Sequence, residues 1–234
     1  MTMSAKDRSE RELRPLGGQR AQASVGAHIT LAFTGASGMP YGLRLLECLV
    51  AARCEIYLLY SSAAQVVAKQ ECALTLPTQP REAERLFTER YAAAPGQIRA
   101  FAKEDWNAPV ASGSNPADAM AICPCSMGTV GAIANGLADN LIERAADVML
   151  KERRPLVVVP RETPLSLIHL ENLTRLARAG AVILPPSPGF YTHPASVDDI
   201  VDFVVARILD QLHVPHSLVP RWGETGDDTR SERA

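Results

Sequence analysis

Five short apolar segments of the chain end in clusters of the same small polar residue types. These are TGASG at 34–38, SSAA at 61–64, PCSMGT at 124–129, PRETP at 160–164 and PPSPGFYTHP at 185–194. Glycine permits close backbone approach to a ligand, the serines and threonines supply hydroxyl donors, and Arg161 adds one fixed cation. That set suits a phosphate joined to a flat polar ring system. The first cluster sits in ITLAFTGASGMPYG (29–42), which reads as a strand, a glycine-rich turn and a helix start. Turn amides and a helix N-terminus point unpaired N–H groups at one place, so a phosphate is the first occupant to expect there. Gly35, Gly38 and Gly42 do not have the G-x-G-x-x-G spacing, so a dinucleotide is not indicated. A glycine-rich connection without a ligand is the alternative.

Further cations stand where anions could meet them. At about 100° per residue, Val197, Ile200, Val201, Val204, Val205, Ile208 and Leu212 form one apolar stripe, with Arg207 within about 20° of Ile200. Such an arginine either receives an anion or packs its stem and sends its head to solvent. Arg144 and Lys151 are seven apart and therefore share a helix face. They form either an anion-binding pair or a solvated basic face near a helix C-terminus.

Apolar runs at 29–34, 55–60, 119–123, 156–159 and 181–184 read as strands. Helical patterns lie between and after them at 40–52, 63–70, 128–135 with 140–152, 166–179 and 197–212. Alternating strands and helices predict right-handed βαβ units, hence an α/β, Rossmann-like (flavodoxin-like) doubly wound parallel sheet in a single domain. Ligands of such sheets bind at the carboxyl ends of the strands, where the five polar clusters fall.

Composition fits one domain over 28–214: the 234 residues are 47% hydrophobic and 21% charged. Residues 1–27 are expected to be a disordered extension, and 215–234 a tail partly ordered around Trp222. A net charge of −2 gives no reason to expect nucleic acid or an anionic membrane as partner. The five cysteines, Cys48, Cys54, Cys72, Cys123 and Cys125, support neither a disulfide framework nor a zinc site. No apolar run approaches the roughly 20 residues that span a bilayer. The first 27 residues mix acids with arginines and have no apolar core segment, so no secretory signal is read and a cytoplasmic location is expected. His28, His169, His193, His213 and His216 are expected at the surface or in packing roles.

The motifs TGASGMPYGLRLLE (34–47), ASGS (111–114), the run from Cys123 to Ser166 and GFYTHPASVDDIVDFVVARILD (189–210) together resemble the UbiX-type flavin prenyltransferases. The resemblance spans about 29–222. It implies an FMN site at Gly35, Ala36, Ser37, Ser61, Ser126, Met127, Gly128, Thr129, Arg144 and Arg161, with the ring near Ala36 and Ser37. It also implies phosphate-binding roles for Lys151, Arg161, Tyr191 and Arg207. The implied reaction joins the dimethylallyl group of dimethylallyl phosphate to N5 and C6 of reduced FMN, and the prenylated FMN then serves a UbiD-type decarboxylase. A diphosphate donor stays open.

The same resemblance gives Ser37, Glu71, Glu162 and Trp222 catalytic roles. Glu71 and Glu162 would handle the proton that leaves C6, unless the released phosphate is the base or Glu162 only orients the surroundings of Arg161. Trp222 would close over the substrate, or merely anchor the tail. Sites would form between subunits of a large homo-oligomer, a dodecamer in the family. Two rivals stay open. A cysteine-decarboxylating flavoprotein would carry a histidine near the end of the second strand and a PxMNxxMW segment, both absent here. A non-catalytic FMN carrier would not require a second phosphate site. Finally, DDIVD (198–202) matches the D-D-x-x-D that holds magnesium in many prenyl-diphosphate enzymes. Its place in the first turn of a helix, with Ser196 ready to cap and Asp199 and Asp202 opposite the apolar stripe, predicts a structural role and no metal.

Overall fold

A computed structural model describes residues 26–220. The expected extension at 1–27 lies almost wholly outside these residues, and so do Trp222 and most of the tail. Six strands form one parallel sheet: β1 (His28–Phe33), β2 (Glu55–Tyr60), β3 (Ile98–Ala100), β4 (Ala119–Cys125), β5 (Leu156–Pro160) and β6 (Val182–Ile183). Their spatial order is β3-β2-β1-β4-β5-β6. The chain winds outward from β1 in one direction and from β4 in the other, which opens a crevice between the carboxyl ends of these two neighbours.

Seven helices cover the sheet: α1 (Met39–Ala51), α2 (Ser62–Cys72), α3 (Pro80–Tyr91), α4 (Met127–Ala134), α5 (Leu141–Lys151), α6 (Leu167–Arg178) and α7 (Val197–Leu212). Strand residues alternate between two cores. Ile29, Leu31, Phe33, Ile56 and Leu58 face α1 and α7, whereas Tyr57, Leu59, Met120 and Ile122 face α4 and α5. A register irregularity between Ile122 and Cys125 shifts this alternation around Pro124. Cys123 therefore enters the first core and Cys125 the second, although two residues apart in a regular strand would share a face. Burial pushes both thiols far above their ordinary pKa.

Two glycines of the first turn have steric reasons to be glycine. A Cβ on Gly35 would lie 2.5 Å from that of Ala63, and one on Gly42 would lie 2.5 Å from the Cys123 carbonyl oxygen. The turn and α1 are thus pressed against α2 and β4.

The sequence reading placed five strands and missed α3 and β3. Strand β4 extends to Cys125 rather than stopping at Cys123, and β6 is shorter than 181–184. Edge strand β3 has three residues, and its Ala100 amide donates to Glu84 of α3 at 2.9 Å. On α7 the expected apolar stripe holds from Val201 to Leu212, but Val197 is 73% exposed. The histidines have local roles. His28 meets Tyr57 and Glu55, His169 completes the capping box of α6, and His213 is the left-handed C-cap of α7.

Candidate active site

The crevice between β1 and β4 is built on Thr34. Its hydroxyl donates to the Pro124 carbonyl at 2.9 Å and accepts from the Ser126 amide at 2.7 Å, while its own amide donates to Pro124 at 3.1 Å. A buried threonine thus locks the ends of the two strands together. Ser126 caps α4, its hydroxyl accepting from the Thr129 amide at 3.3 Å and sharing a 3.0 Å bond with the Thr129 hydroxyl. Ser61 caps α2 in the same way through the Ala64 amide. Gly35, Ala36, Ser37, Ser61, Ser126, Met127, Gly128, Thr129, Arg161 and Glu162 all follow the carboxyl ends of β1, β2, β4 or β5.

The N-terminus of α1, expected to receive a phosphate, is served by the protein itself. Glu71, near the end of α2, accepts from the Gly38 and Met39 amides at 2.9 and 2.8 Å. Gly38 has φ +120° and no side chain with which to cap the helix, so Glu71 supplies the missing acceptor. Burial works against ionisation of this carboxyl. Hydrogen bonds from the Ser37 hydroxyl and the two amides, with the nearby charge of Arg161, outweigh it and hold the pKa below the ordinary carboxylate value. Ser37, Glu71 and Arg161 are therefore one coupled group. A lowered folded-state pKa gives stability that is present above the unfolded carboxylate range and lost as pH falls through the lowered value. Glu71→Ala is expected to cost about 0.5–2 kcal/mol, as for a lost helix cap, in urea unfolding at pH 7. The difference from the parent should shrink in acid. Equal stability at pH 7 would show that the amides need no carboxylate.

The other implied cations lie elsewhere on the chain. Lys151 ends α5, which leads into the start of β5 at the opposite end of the sheet from Arg161. It pairs with Glu152, and both side chains sit over Gly113 in the ASGS loop. Arg144 donates from Nε to the Ala111 carbonyl at 2.9 Å and pairs with Asp147. Tyr191 and Arg207 line a third place, a groove of about 450 Å³ beside edge strand β6. Arg207 is exposed, and it pairs with Asp210. One chain thus carries the implied site residues as three separate groups.

Two of the three acids of DDIVD are engaged structurally. Asp199 completes a capping box with Ser196, accepting from the Ala195 and Ser196 amides at 2.8 and 3.0 Å. Asp202 does not face outward as expected but bonds Arg44 of α1 through both oxygens, at 2.7 and 3.2 Å. The sequence reading missed Thr34 and Gly38 as site-builders; their presence in TGASG was the available signal.

The Flavoprotein family model matches residues 18–209. The flavin prenyltransferase UbiX of Pseudomonas aeruginosa is 60% identical over 84% of this chain and 94% of its own length. The chain belongs to the UbiX-type flavin prenyltransferases. Its fold agrees with that of solved relatives. AnUbiX in complex with FMN and dimethylallyl pyrophosphate has a TM-score of 0.75 at 41% identity, covering 84% of this chain and 97% of that one. A dodecameric FMN-dependent UbiX-like decarboxylase from Escherichia coli O157:H7 has a TM-score of 0.72 at 42% identity, covering 83% and 98%. Among the described residues of this UbiX-type chain, no helix is long and apolar enough to cross a membrane.

Proposed function

We propose that the chain transfers the dimethylallyl group of dimethylallyl phosphate to N5 and C6 of reduced FMN, releasing prenylated FMN to a UbiD-type decarboxylase. The observation that carries this reading is the Ser37–Glu71–Arg161 group at the β1/β4 crevice, in a chain so close in sequence to a flavin prenyltransferase. The donor set fits FMN. Glycine and hydroxyl residues meet at the strand ends, a Cβ on Gly128 would meet nothing nearer than 3.9 Å, and the Arg161 guanidinium is near enough to act on the Glu71 carboxylate. FMN, when bound and reduced, supplies the nucleophilic ring positions.

The chain's own groups do the rest. Breaking the allylic C–O bond leaves negative charge on the phosphate, which Arg161, Lys151, Arg207 and the Tyr191 hydroxyl would receive as preorganised donors. Glu71 holds Ser37 and the first turn of α1 in place, where they would meet the flavin ring. Glu162, directly after Arg161, would take the proton from C6, or the released phosphate would. Because a single chain spreads these groups over three places, neighbouring copies would complete each site, in an assembly like the dodecameric E. coli relative.

Anaerobic incubation with reduced FMN and dimethylallyl phosphate is expected to add one C5 unit to the extracted flavin, read by mass spectrometry. Excess EDTA should not change the yield, since fixed cations serve the leaving phosphate. Asp199→Asn with Asp202→Asn should lower the melting temperature through the lost capping box and ion pair, with little loss of transfer. An unchanged flavin mass would overturn the function, and strict magnesium dependence the metal-free mechanism.

A further inference from the structure

Arg207, which lines the groove beside β6, ends a relay of contacts that the reaction as stated does not use. Asp210 lies one turn beyond Arg207 on α7 and binds on both sides. Its Oδ2 accepts from Arg207 Nη1 at 2.7 Å, and its Oδ1 lies 3.2 Å from Nε2 of His216. His216 belongs to the segment that follows α7, and its side chain is only 13% exposed. The Leu218 amide donates to its Nδ1 at 3.4 Å. An accepting Nδ1 places the ring proton on Nε2, aimed at Asp210. Leu218 itself packs against the core, so the backbone that orients the imidazole is anchored. The order of support runs from packed chain to imidazole, to carboxylate, to guanidinium.

This support differs from an ordinary surface ion pair. An exposed i,i+3 pair leaves two long side chains free to part, and contributes little. Here the carboxylate is held from behind, so one edge of the Arg207 fork is fixed while its remaining N–H groups stay available to an anion. The neighbouring Tyr191 is held as well. The Tyr191 ring packs edge-on against Phe203 at 5.7 Å between centroids, and a Cβ on Gly189 would lie 2.7 Å from the Tyr191 ring and 3.0 Å from Phe203.

We propose that Asp210, held by His216, is a positioning residue that fixes the Arg207 guanidinium in the groove for the phosphate of the prenyl donor. The proposal rests on the reading that Arg207 contacts that phosphate. Ordering the arginine during folding removes part of the immobilisation cost from donor binding. The carboxylate's own negative charge works the other way. Loss of Asp210 would tighten anion binding if charge alone mattered and weaken it if orientation dominates.

The test uses the FMN-loaded enzyme, titrated with dimethylallyl phosphate, and assayed for prenyl transfer. Asp210→Ala is expected to raise the donor KM about five- to ten-fold, with kcat and FMN affinity within two-fold of the parent. His216→Ala should act in the same direction with a smaller effect, and Asp210→Glu should recover part of the loss. In an Arg207→Ala background, Asp210→Ala should change donor affinity less than two-fold, because its action passes through the arginine. A donor KM that is unchanged or lowered in Asp210→Ala, or a loss of equal size with and without Arg207, would overturn the proposal. If Arg207→Ala itself leaves donor affinity intact, the assignment of the phosphate site fails instead. Thermal melting of each variant separates both outcomes from unfolding, which should be minor for a pair this exposed.

Discussion

Arg207→Leu should lower prenyl transfer roughly 10- to 150-fold while leaving the protein folded. A charge-assisted hydrogen bond to the leaving phosphate accounts for about 1.5–3 kcal/mol, and each 1.4 kcal/mol is about a factor of ten in rate. The fold should tolerate the change because the arginine is exposed, with only an i,i+3 partner, and leucine is a good helix former. Turnover and melting temperature measured together check this. If Arg207→Leu unfolds while Lys151→Met keeps full activity, the cations are structural and the phosphate assignment fails.

The parts of the fold that were legible in the sequence are those with strong apolar contrast. Strands β1, β2, β4 and β5 are nearly continuous apolar runs, as strands buried on both faces must be. Helix α3 escaped because PREAERLFTERY is half charged and buries only Ala83 and Phe87 fully. Strand β3 escaped because three residues carry no period. Within the site, strand-end clusters pointed to the crevice because they belong to local segments. The partner of Asp202 could not be read, since Arg44 lies 158 residues away. Nor could the service of Glu71 to α1, because nothing in the local pattern of α2 announces an acceptor for another helix. The separation of Lys151 from Arg161 is topological: it follows from α5 ending where β5 begins.

Arg161→Ala should weaken retention of FMN or of the prenyl donor by a similar factor, roughly 10- to 150-fold, through loss of a charge-assisted contact. Flavin absorbance of the purified protein gives occupancy, and the mass-spectrometric assay gives turnover. Normal values of both would count against the assignment. Ser37 and Arg161 share a partner in Glu71. Groups sharing one network are not additive. Ser37→Ala should therefore cost less in the Arg161→Ala background than in the parent.

The two margins of the sheet also limit how copies of this chain can associate. One margin is a three-residue strand whose Ala100 amide is already bonded to Glu84, and the other is a two-residue strand followed directly by Leu184 and two prolines. Neither offers a ladder long enough for edge-to-edge pairing with a second sheet. Growth by strand addition, the route to fibrils and swapped sheets, is closed at both ends. Assembly is left to side chains on helices and loops, where Leu165, Leu167, Ile168 and Leu170 stand exposed at the start of α6. Contacts of that kind close when they are two-fold, or head-to-tail with a rotation that completes a ring.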